Sequence, residues 1–352
     1  MAIITVTNDY DDFNIVLLES EGRYSVSIDK YKGNSKKVIV PENIEGFPVT
    51  QIGIASFFDN NLRQVILPEG LISIEMGAFR NCINLVEINL PQSLIYIDTS
   101  AFENCEKLKK ITIPKNIEYF GNIDLQIIGT ESETFSGCES LREIIVDEQN
   151  PAYVSKEGVL FDKKMTTLLK YPSGKKGAYT IPDSVNNIKK NAFENCSKLT
   201  KLNIPKDLLF IEYGEFDKCE RLTDFIVNEN NPMYISIDGV LFDKKGTTLL
   251  HYPQGNKRKV YNVPGSVTLI REGAFNHCNS LTSITLPEGL KFIYGQFICK
   301  RLSSITLPMS LLFLDSNMFV NCPNLKTITL SRKTKMGYKA LEGFSGELIY
   351  RD

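Results

Sequence analysis

The chain has 352 residues, 42% hydrophobic and 23% charged, and its 40 basic and 42 acidic side chains leave a formal net charge of -2. These values are typical of folded proteins and exclude an intrinsically disordered or collagen-like chain. No basic run could neutralise a series of phosphates and no apolar run approaches the roughly 18 to 20 residues of a membrane-spanning helix, so we expect neither a nucleic-acid partner nor direct membrane insertion.

The N-terminal sequence leaves the localisation open. MAIITVTNDYDDF lacks the basic region and the apolar stretch of a secretory signal. The two alternatives are the cell surface or the exterior, if a signal was removed before residue 1, and the cytoplasm otherwise.

The first predicted element is a β-hairpin over residues 13–31. FNIVLLESEGRYSVSIDKY alternates apolar and polar residues on both sides of Glu21 and Gly22, a pattern typical of two antiparallel strands and a tight turn. We expect residues 1–50 to form an N-terminal capping hairpin and a first irregular repeat.

A repeated phrase dominates residues 51–330. GAFRNCINLVEINLPQSLIYI, residues 77–97, returns as SAFENCEKLKKITIPKNIEYF, residues 100–120, with Phe79 and Phe102 23 residues apart. The shared template is A-F-x-x-C-x-x-L-x-x-I-x-I/L-P-x-x-L-x-x-I. Its period and its L-x-x-I-x-L core are typical of leucine-rich repeats. The sequence therefore predicts a leucine-rich-repeat solenoid, mainly β, with one short parallel strand per repeat of about 23 residues, short helical or 3-10 turns and a curved right-handed coil.

The aromatic and cysteine positions of the template are predicted to be core. All eight cysteines occupy the same repeat position, and no C-x-x-C pair or ligand-spaced histidine accompanies them, so we expect buried thiols with no metal and no disulfide framework. The structural residues singled out on this basis are Phe79, Cys82, Phe102, Cys105, Phe193, Cys196, Phe275 and Cys278.

Two repeats carry similar insertions, at about residues 147–182 and 228–264. NPAYVSKEGVLFDKKMTTLLKYP returns 81 residues later as NPMYISIDGVLFDKKGTTLLHYP. In each copy GVLF and TTLL flank a D-K-K-x turn, which predicts a β-hairpin with Lys163 or Lys244 at its tip. These hairpins are either paired contact arms or widened turns of the coil. After Leu330 the repeat degenerates, so residues 331–352 are predicted to be a C-terminal cap.

No catalytic constellation stands out, and we expect neither enzymatic activity nor a cofactor. The two histidines, His251 and His277, match Lys170 and asparagines at equivalent positions, so both are interpreted as surface substitutions. Phosphate-binding loops and the H-E-x-x-H and G-x-S-x-G motifs are absent from the sequence.

Two sets of residues are candidates for ligand binding. The last three repeat strands carry only hydroxyl groups at their outward positions, which are Ser283, Thr285, Ser304, Thr306, Thr327 and Thr329. The position before the last apolar residue of each repeat is often aromatic, as at Tyr96, Tyr119, Phe210, Phe292 and Phe313. The alternatives are a solvated threonine-rich sheet and aromatic rings partly buried under a neighbouring turn.

The chain resembles the BspA-like leucine-rich repeats of bacterial and protist surface proteins. The resemblance rests on the phrase G-A-F-x-x-C-x-x-L-x-x-I-x-L-P, seen at residues 273–287, and on VIVPENIEGFPVTQIG at residues 38–53. It runs from about Tyr24 to the end of the chain. It implies a module for adhesion and for recognition of host matrix or neighbouring cells, and it brings no catalytic residues.

These observations lead to one functional hypothesis and one alternative. The first is non-enzymatic recognition, adhesin-like, of a protein or glycan partner through the solenoid surface. The alternative is an intracellular scaffold that binds another protein.

Overall fold

A computed structural model describes residues 2–121, 133–212 and 215–351, and only the backbone is described for residues 2–9. The chain divides into two compact units, the first formed by Met1–Lys175 and Asn187–Cys196 and the second by Lys176–Asn186 and Ser197–Asp352. The predicted boundaries between caps and repeats, at residues 50 and 330, stay a proposal.

The described residues form 33 strands and one 3-10 helix, Glu133–Phe135. The first sixteen strands are β1 (Ala2–Tyr10), β2 (Phe13–Ser20), β3 (Arg23–Tyr31), β4 (Lys37–Ile39), β5 (Asn43–Ile44), β6 (Phe47–Ile52), β7 (Gln64–Ile66), β8 (Ser73–Ile74), β9 (Glu87–Ile88), β10 (Tyr96–Ile97), β11 (Lys110–Ile113), β12 (Tyr119–Phe120), β13 (Glu143–Val146), β14 (Tyr153–Lys156), β15 (Val159–Asp162) and β16 (Thr167–Lys170).

The remaining strands are β17 (Gly177–Thr180), β18 (Asn187–Ile188), β19 (Leu199–Ile204), β20 (Phe210–Ile211), β21 (Asp224–Val227), β22 (Tyr234–Ile237), β23 (Val240–Asp243), β24 (Thr248–His251), β25 (Val260–Asn262), β26 (Leu269–Ile270), β27 (Ser283–Thr285), β28 (Phe292–Ile293), β29 (Ser304–Thr306), β30 (Phe313–Leu314), β31 (Thr327–Ser331), β32 (Lys335–Met336) and β33 (Glu347–Arg351).

The first unit begins with an antiparallel sheet and continues as a parallel solenoid. Strand β2 pairs with β1 and with β3 in antiparallel fashion, and the turn between β2 and β3 lies at Glu21 and Gly22. Strand β3 then pairs in parallel with β6, and the order continues through β8, β10 and β12. Strands β4, β7 and β9 pair in parallel with one another, as do β11 and β13.

Each repeat supplies two short strands, one to each of two rows that are named here the first sheet and the second sheet, and hydrogen bonding divides each row into several shorter sheets. The L-x-x-I-x-L segment forms the first sheet, as at β7 and β9 or at β27 and β29. The two residues that end the repeat form the second sheet, as at β8 and β10 or at β26 and β28. In the second unit the first-sheet strands follow the orders β17-β19-β21 and β25-β27-β29-β31-β33.

Buried phenylalanine rings stack through the core from one turn of the coil to the next. In the first unit the rings of Phe79 and Phe102 lie 5.6 Å apart with planes 2° apart, and Phe102 and Phe135 repeat the arrangement at 5.9 Å and 3°. These distances are larger than the spacing of about 4.8 Å between neighbouring strands, and each turn of the coil adds one ring to the stack. In the second unit Phe275, Phe297 and Phe319 continue the same pattern.

The cysteine beside each phenylalanine reaches the preceding turn. The thiols of Cys82, Cys105 and Cys138 donate to the backbone carbonyls of the phenylalanines one turn earlier, at 3.1 to 3.3 Å. All eight cysteines are buried, and none of them forms a disulfide. The template thus places a small, readily buried donor where the coil exposes a carbonyl to the core.

The residue before several of these cysteines, most often asparagine, adopts a left-handed backbone conformation. Asn81, Asn104 and Asn195 have φ angles of 61°, 59° and 61°, and His277 takes the same conformation at 57°. This left-handed region favours glycine and asparagine over most residues. The repeated Asn-Cys pair is therefore a turn residue followed by a core residue.

The two insertions are widened turns of the coil. Strands β14, β15 and β16 form an antiparallel meander, and β16 then pairs in parallel with β18. Strands β22, β23 and β24 repeat the arrangement in the second unit, where β24 pairs with β26. Because the last strand of each meander belongs to the second sheet, the hairpins extend that sheet and do not project as free arms.

A buried asparagine anchors each insertion. The Asn150 amide nitrogen donates to the carbonyls of Pro114 and Ile117, and its oxygen accepts from the backbone of Ala152 and Tyr153. Asn231 makes the equivalent four bonds in the second unit. A buried amide with its hydrogen bonds satisfied can hold an irregular segment without a desolvation penalty.

The segment predicted as a C-terminal cap forms further strands of the coil. Strand β32 pairs in parallel with β30, and β33 pairs in parallel with β31 over Glu347–Arg351. The repeat therefore continues structurally where its sequence has degenerated, because a parallel ladder needs backbone register more than it needs a particular side chain.

Candidate functional site

Aromatic side chains line the outer face of the second sheet. Tyr119, Phe210, Phe292 and Phe313 are exposed to 51%, 56%, 40% and 43%, and Tyr96 is half-buried. In the first unit Tyr96 stands in register with Tyr119. The name aromatic column is used here for these residues within each unit, which are Tyr96 and Tyr119 in the first unit and Phe210, Phe292 and Phe313 in the second. They are the residues that the sequence singled out at this repeat position.

Alternation along each two-residue strand explains why these rings face outward. The residues that follow them, among them Ile97, Phe120, Ile293 and Leu314, are buried in the core. Successive side chains of a strand point to opposite faces. Inward placement of the last apolar residue of a repeat therefore turns the preceding aromatic ring outward.

Further apolar side chains beside the column were missed from the sequence. Ile95, Leu209 and Leu312 each precede a residue of the column and are exposed. Ile72, which precedes Ser73 at the same repeat position, and Tyr294 are exposed as well. The ring of Tyr294 lies 6.2 Å from that of Phe292, with planes 3° apart. Runs such as LIYI, LLFI and LLFL could have indicated them. Side chains of an extended chain alternate between two faces, so four consecutive apolar residues cannot all point into the core.

The six hydroxyl residues form a continuous strip on the first sheet of the second unit. Ser283, Ser304 and Thr327 pair in register across β27, β29 and β31, and Thr285, Thr306 and Thr329 form a second row beside them. Val260 and Asn262 on β25 and Glu347 and Ile349 on β33 flank these rows. The strip is thus two hydroxyl groups wide and three strands long.

The strip differs from neighbouring hydroxyl residues in its hydrogen bonding. The hydroxyls of Thr282 and Ser303 donate to the backbone of the preceding turn, at 3.1 and 3.0 Å. Among the described residues, the six hydroxyls of the strip have no such partner. Their donors and acceptors remain available to solvent or to a ligand.

Elsewhere the outward positions of the first sheet pair with each other. Gln64 donates to Glu87 at 3.0 Å, Lys110 lies 3.8 Å from Glu143, and Lys201 lies 3.8 Å from Asp224. These exposed pairs contribute little to stability, but they leave fewer free polar groups for a ligand.

The two hairpin lysines are engaged with their own chain. The Lys163 ammonium donates to the carbonyls of Glu148 and Asn150, at 3.2 and 2.5 Å, and Lys244 donates to the carbonyl of Glu229 at 3.0 Å. Each lysine therefore closes the start of its insertion. Their contribution to ligand binding stays a prediction.

The interpretation of His251 as a surface residue was wrong. His251 is buried between the rings of Phe216 and Phe225, and its Nε2 has no hydrogen-bond partner among the described residues. Burial, together with the nearby Arg271, lowers the pKa of His251 to about 3. Lys170, its counterpart in the other copy, is also buried and donates to the carbonyl of Asn191 at 3.0 Å.

The error has a physical source. Lys170 is buried at the end of β16 and His251 at the end of β24, because each meander packs into the coil and does not stand free as a hairpin. The tyrosines that follow, Tyr171 and Tyr252, enter the aromatic stack of the core through Phe193 and Phe275.

The cysteines are poor nucleophiles in this environment. Burial raises the pKa of the Cys82, Cys138 and Cys322 thiols to about 12. The thiolate is the reactive form of cysteine, so these thiols are suited to packing. In the part of the chain that the structure describes, no group of three or more His, Cys, Asp or Glu side chains could hold a metal ion.

The fold and the exposed rows define a class of protein. Two parallel sheets, one repeat per turn and a stacked phenylalanine core make each unit a β-solenoid of the leucine-rich-repeat type. Within that class the chain belongs to the BspA type leucine-rich-repeat family, whose profile matches residues 31–148, 177–258 and 254–348 in six copies. Leucine-rich repeats are binding modules, and the family membership supports a protein-binding role.

Solved structures agree with this fold. A leucine-rich cell surface protein from Faecalibacterium prausnitzii is similar over 99% of this chain and 95% of its own, at 21% identity and a TM-score of 0.56. A leucine-rich-repeat protein from Eubacterium ventriosum is similar over 95% and 93%, at 20% identity and 0.52. A comparison with curated proteins gave no match. No helix among the described residues is long and apolar enough to cross a membrane.

Proposed function

We propose that the protein is a non-enzymatic recognition module that binds a host matrix or cell-surface protein in the manner of an adhesin. The aromatic column is the proposed contact surface. The observation that carries the proposal is the exposure of Tyr119, Phe210, Phe292 and Phe313 at one repeated position of the second sheet.

Aromatic rings exposed at a repeated position favour a contact surface. Aromatic side chains bury a large area at a small loss of conformational entropy, and they are enriched among residues that dominate binding energy. Four repeats that each hold such a ring in water would gain little in stability from it. Covering the ring with a partner removes apolar area from water and contributes to affinity.

The hydroxyl strip is a second candidate surface, for a glycan or another polar chain. It is supported by six hydroxyl groups in two straight rows without partners in the described part of the chain. A neutral ligand with many hydroxyl groups could exchange hydrogen bonds with both rows.

The alternative is an intracellular scaffold that uses the same aromatic column toward a protein of the cell. The two proposed functions place the protein in different compartments, but both use the aromatic column as the contact surface. The gene sequence upstream of the codon for Met1 separates them, because an encoded secretory signal there is incompatible with the scaffold.

The test is a binding screen of the 352-residue chain against immobilised matrix proteins, cell-surface proteins and glycans. The double variant Phe292→Ser and Phe313→Ser should lose binding to a protein partner by at least about tenfold while its melting temperature stays unchanged. The matched control is Phe58→Ser, which removes an exposed ring outside the column. Full binding by the double variant would refute the aromatic column as the contact surface.

Loss of binding to a glycan by Thr306→Val and Thr329→Val, with protein binding intact, would assign the strip as a separate site. Valine keeps the shape and β-propensity of threonine and removes only the hydroxyl.

A further inference from the structure

A small cavity lies beside His251 in the second unit. Its walls include His251, Asp217 and Gly273, and its volume is about 30 Å³. A water molecule needs about 10 to 15 Å³ of such space, so the cavity has room for about two groups of that size. His251 is only 8% exposed, and its Nε2 has no hydrogen-bond partner among the described residues. A buried polar atom therefore faces a space in which a ligand could bind it.

A hydrogen bond that occurs in both units aligns this cavity with the first unit. The tyrosine that ends each insertion donates its amide to the alanine before a stacked phenylalanine, from Tyr171 to Ala192 at 2.9 Å and from Tyr252 to Ala274 at 2.8 Å. The residues that precede these four are therefore equivalent, in the pairs Lys170 with His251 and Asn191 with Gly273.

The lysine of the first unit reaches the position that the cavity has in the second. The Lys170 ammonium donates to the Asn191 carbonyl at 3.0 Å. Gly273, the counterpart of Asn191, has a similar left-handed φ angle, 72° against 61°, and lines the cavity. The imidazole of His251 is shorter than an extended lysine side chain, so it stops before the position of the ammonium.

Two acceptors line the cavity. The Gly273 carbonyl accepts from the Asn276 amide at 3.0 Å, and a carbonyl oxygen has a second lone pair, which Lys170 uses at the equivalent carbonyl of the first unit. Burial lowers the pKa of His251 to about 3, so the ring is neutral at pH 7. Nε2 of a neutral imidazole accepts a hydrogen bond when the proton lies on Nδ1.

The charged side chains around the cavity favour a cation. The cavity is lined by one guanidinium, that of Arg271, and by four carboxylates, which are Glu212, Glu215, Asp217 and Glu272. Three of these acidic residues stand where the repeat of the first unit has uncharged or basic residues, in the pairs Glu215 with Thr134, Asp217 with Ser136 and Glu272 with Lys190. The second unit thus lacks the internal ammonium of the first and has carboxylates around its position, where an opposite charge is stabilised.

We propose that the cavity beside His251 binds a primary ammonium group at the position that corresponds to the Lys170 ammonium. The bound group donates to the Gly273 carbonyl and to Nε2 of His251, and the surrounding carboxylates balance its charge. It belongs either to a free small amine or to a lysine side chain of a partner. The site is separate from the aromatic column, so its test does not depend on the proposed recognition function.

The two histidines of the chain allow a direct test by NMR. With ¹³C-labelled histidine rings, methylammonium at neutral pH should shift the ring signal of His251 and leave that of His277 unchanged. We expect saturation with a dissociation constant of about 0.1 to 10 mM. Tetramethylammonium, which has no N–H donor, should leave the His251 signal unchanged, and K⁺ should need a concentration at least about tenfold higher. A His251 signal that ignores methylammonium, or that responds equally to K⁺, would overturn the proposal.

The variant His251→Lys tests the equivalence of the two units. It supplies an internal ammonium, as Lys170 does in the first unit, so we expect a folded chain that no longer binds methylammonium. Methylammonium should raise the melting temperature of the original chain and not that of the variant, because only a ligand that binds the folded state stabilises it. Binding of methylammonium to His251→Lys with the original affinity, measured by calorimetry, would refute the site.

The variant Glu272→Lys tests the charge at an exposed position of the cavity wall. It introduces the residue type of the first unit and should raise the dissociation constant of methylammonium about tenfold, with an unchanged melting temperature in the absence of ligand. The matched control Glu106→Lys makes the same charge change at an exposed residue of the first unit that does not line the cavity. An equal effect of the two variants would reduce the result to net charge and overturn the site.

A capped glycine-lysine-glycine peptide separates the two sources of the ammonium group. Binding of the peptide at least as tight as that of methylammonium, abolished by His251→Lys, would assign the site to a lysine side chain of a partner. Binding of methylammonium alone would assign it to a free amine. Binding of neither would overturn the proposal.

Discussion

The imidazole of His251 meets the ring of Phe225 edge to face, with centroids 5.7 Å apart and planes 89° apart. A titratable side chain thus fills an apolar position in the core of the second unit. The unit folds around its neutral form, since burial opposes the charged imidazolium.

Stability of the second unit should therefore fall as the pH falls below 6.5. The pKa of His251 is lowered to about 3 in the folded chain, so between pH 6.5 and 3 the unfolded chain binds a proton that the folded chain does not. His251 should cost about 2 kcal/mol at pH 5 relative to pH 8. Denaturant unfolding between pH 8 and pH 5 measures the loss.

His251→Leu should lose less stability over this range, because it removes the titrating group. Phe58→Leu, which replaces an exposed ring and removes no titratable group, is the control and should keep the pH dependence of the original chain. Equal pH dependence in His251→Leu and the original chain would contradict the neutral, buried imidazole.

The cysteine thiols should be unreactive in the folded protein. All eight are buried, and the pKa of Cys82, Cys138 and Cys322 is raised to about 12. At pH 8 we expect less than about one equivalent of thiol to react with Ellman's reagent within minutes. Eight equivalents should react after unfolding in guanidinium chloride. Rapid reaction of several thiols without denaturant would show that the core opens readily.

Removing one ring from the phenylalanine stack should destabilise the first unit strongly. Phe102 is fully buried between Phe79 and Phe135, and Phe102→Ala should lower the free energy of unfolding by about 3 to 5 kcal/mol through the cavity it leaves. Phe58→Ala, at an exposed position, is the control and should change it by less than about 1 kcal/mol. Urea unfolding followed by circular dichroism compares the two variants, and equal losses would argue against the stack as a main source of stability.

A methyl group at Gly255 should not be tolerated. A Cβ atom there would clash with the carbonyl carbon of Arg221, because the Gly255 amide donates to the neighbouring Leu222 carbonyl at 2.8 Å. Gly255→Ala should cost about 1 to 3 kcal/mol through overpacking. Gly265→Ala, with no atom within 4 Å of the added Cβ, is the control. A Gly255→Ala variant as stable as this control would mean that the two segments can separate at little cost.

Much of the fold could be predicted from the sequence, because comparison of the repeats with one another shows which positions are equivalent. Equivalent positions such as Phe79 and Phe102 have to occupy equivalent environments when every turn of a coil packs on the next. The same logic predicted the outward direction of the aromatic column and the in-register hydroxyl strip. Comparison of the repeats did not predict how deeply the residues of the insertions are buried, nor how many side chains surround each aromatic residue.

What the sequence by itself determined is the period, the core positions and the two outward rows, since these depend on local alternation and on repetition. The tertiary structure decided the rest. His251 and Lys170 are buried, because each insertion packs into the coil and does not stand free as a hairpin. Lys163 and Lys244 donate to carbonyls that precede them by 13 to 15 residues, because such contacts depend on which segments lie beside one another in space.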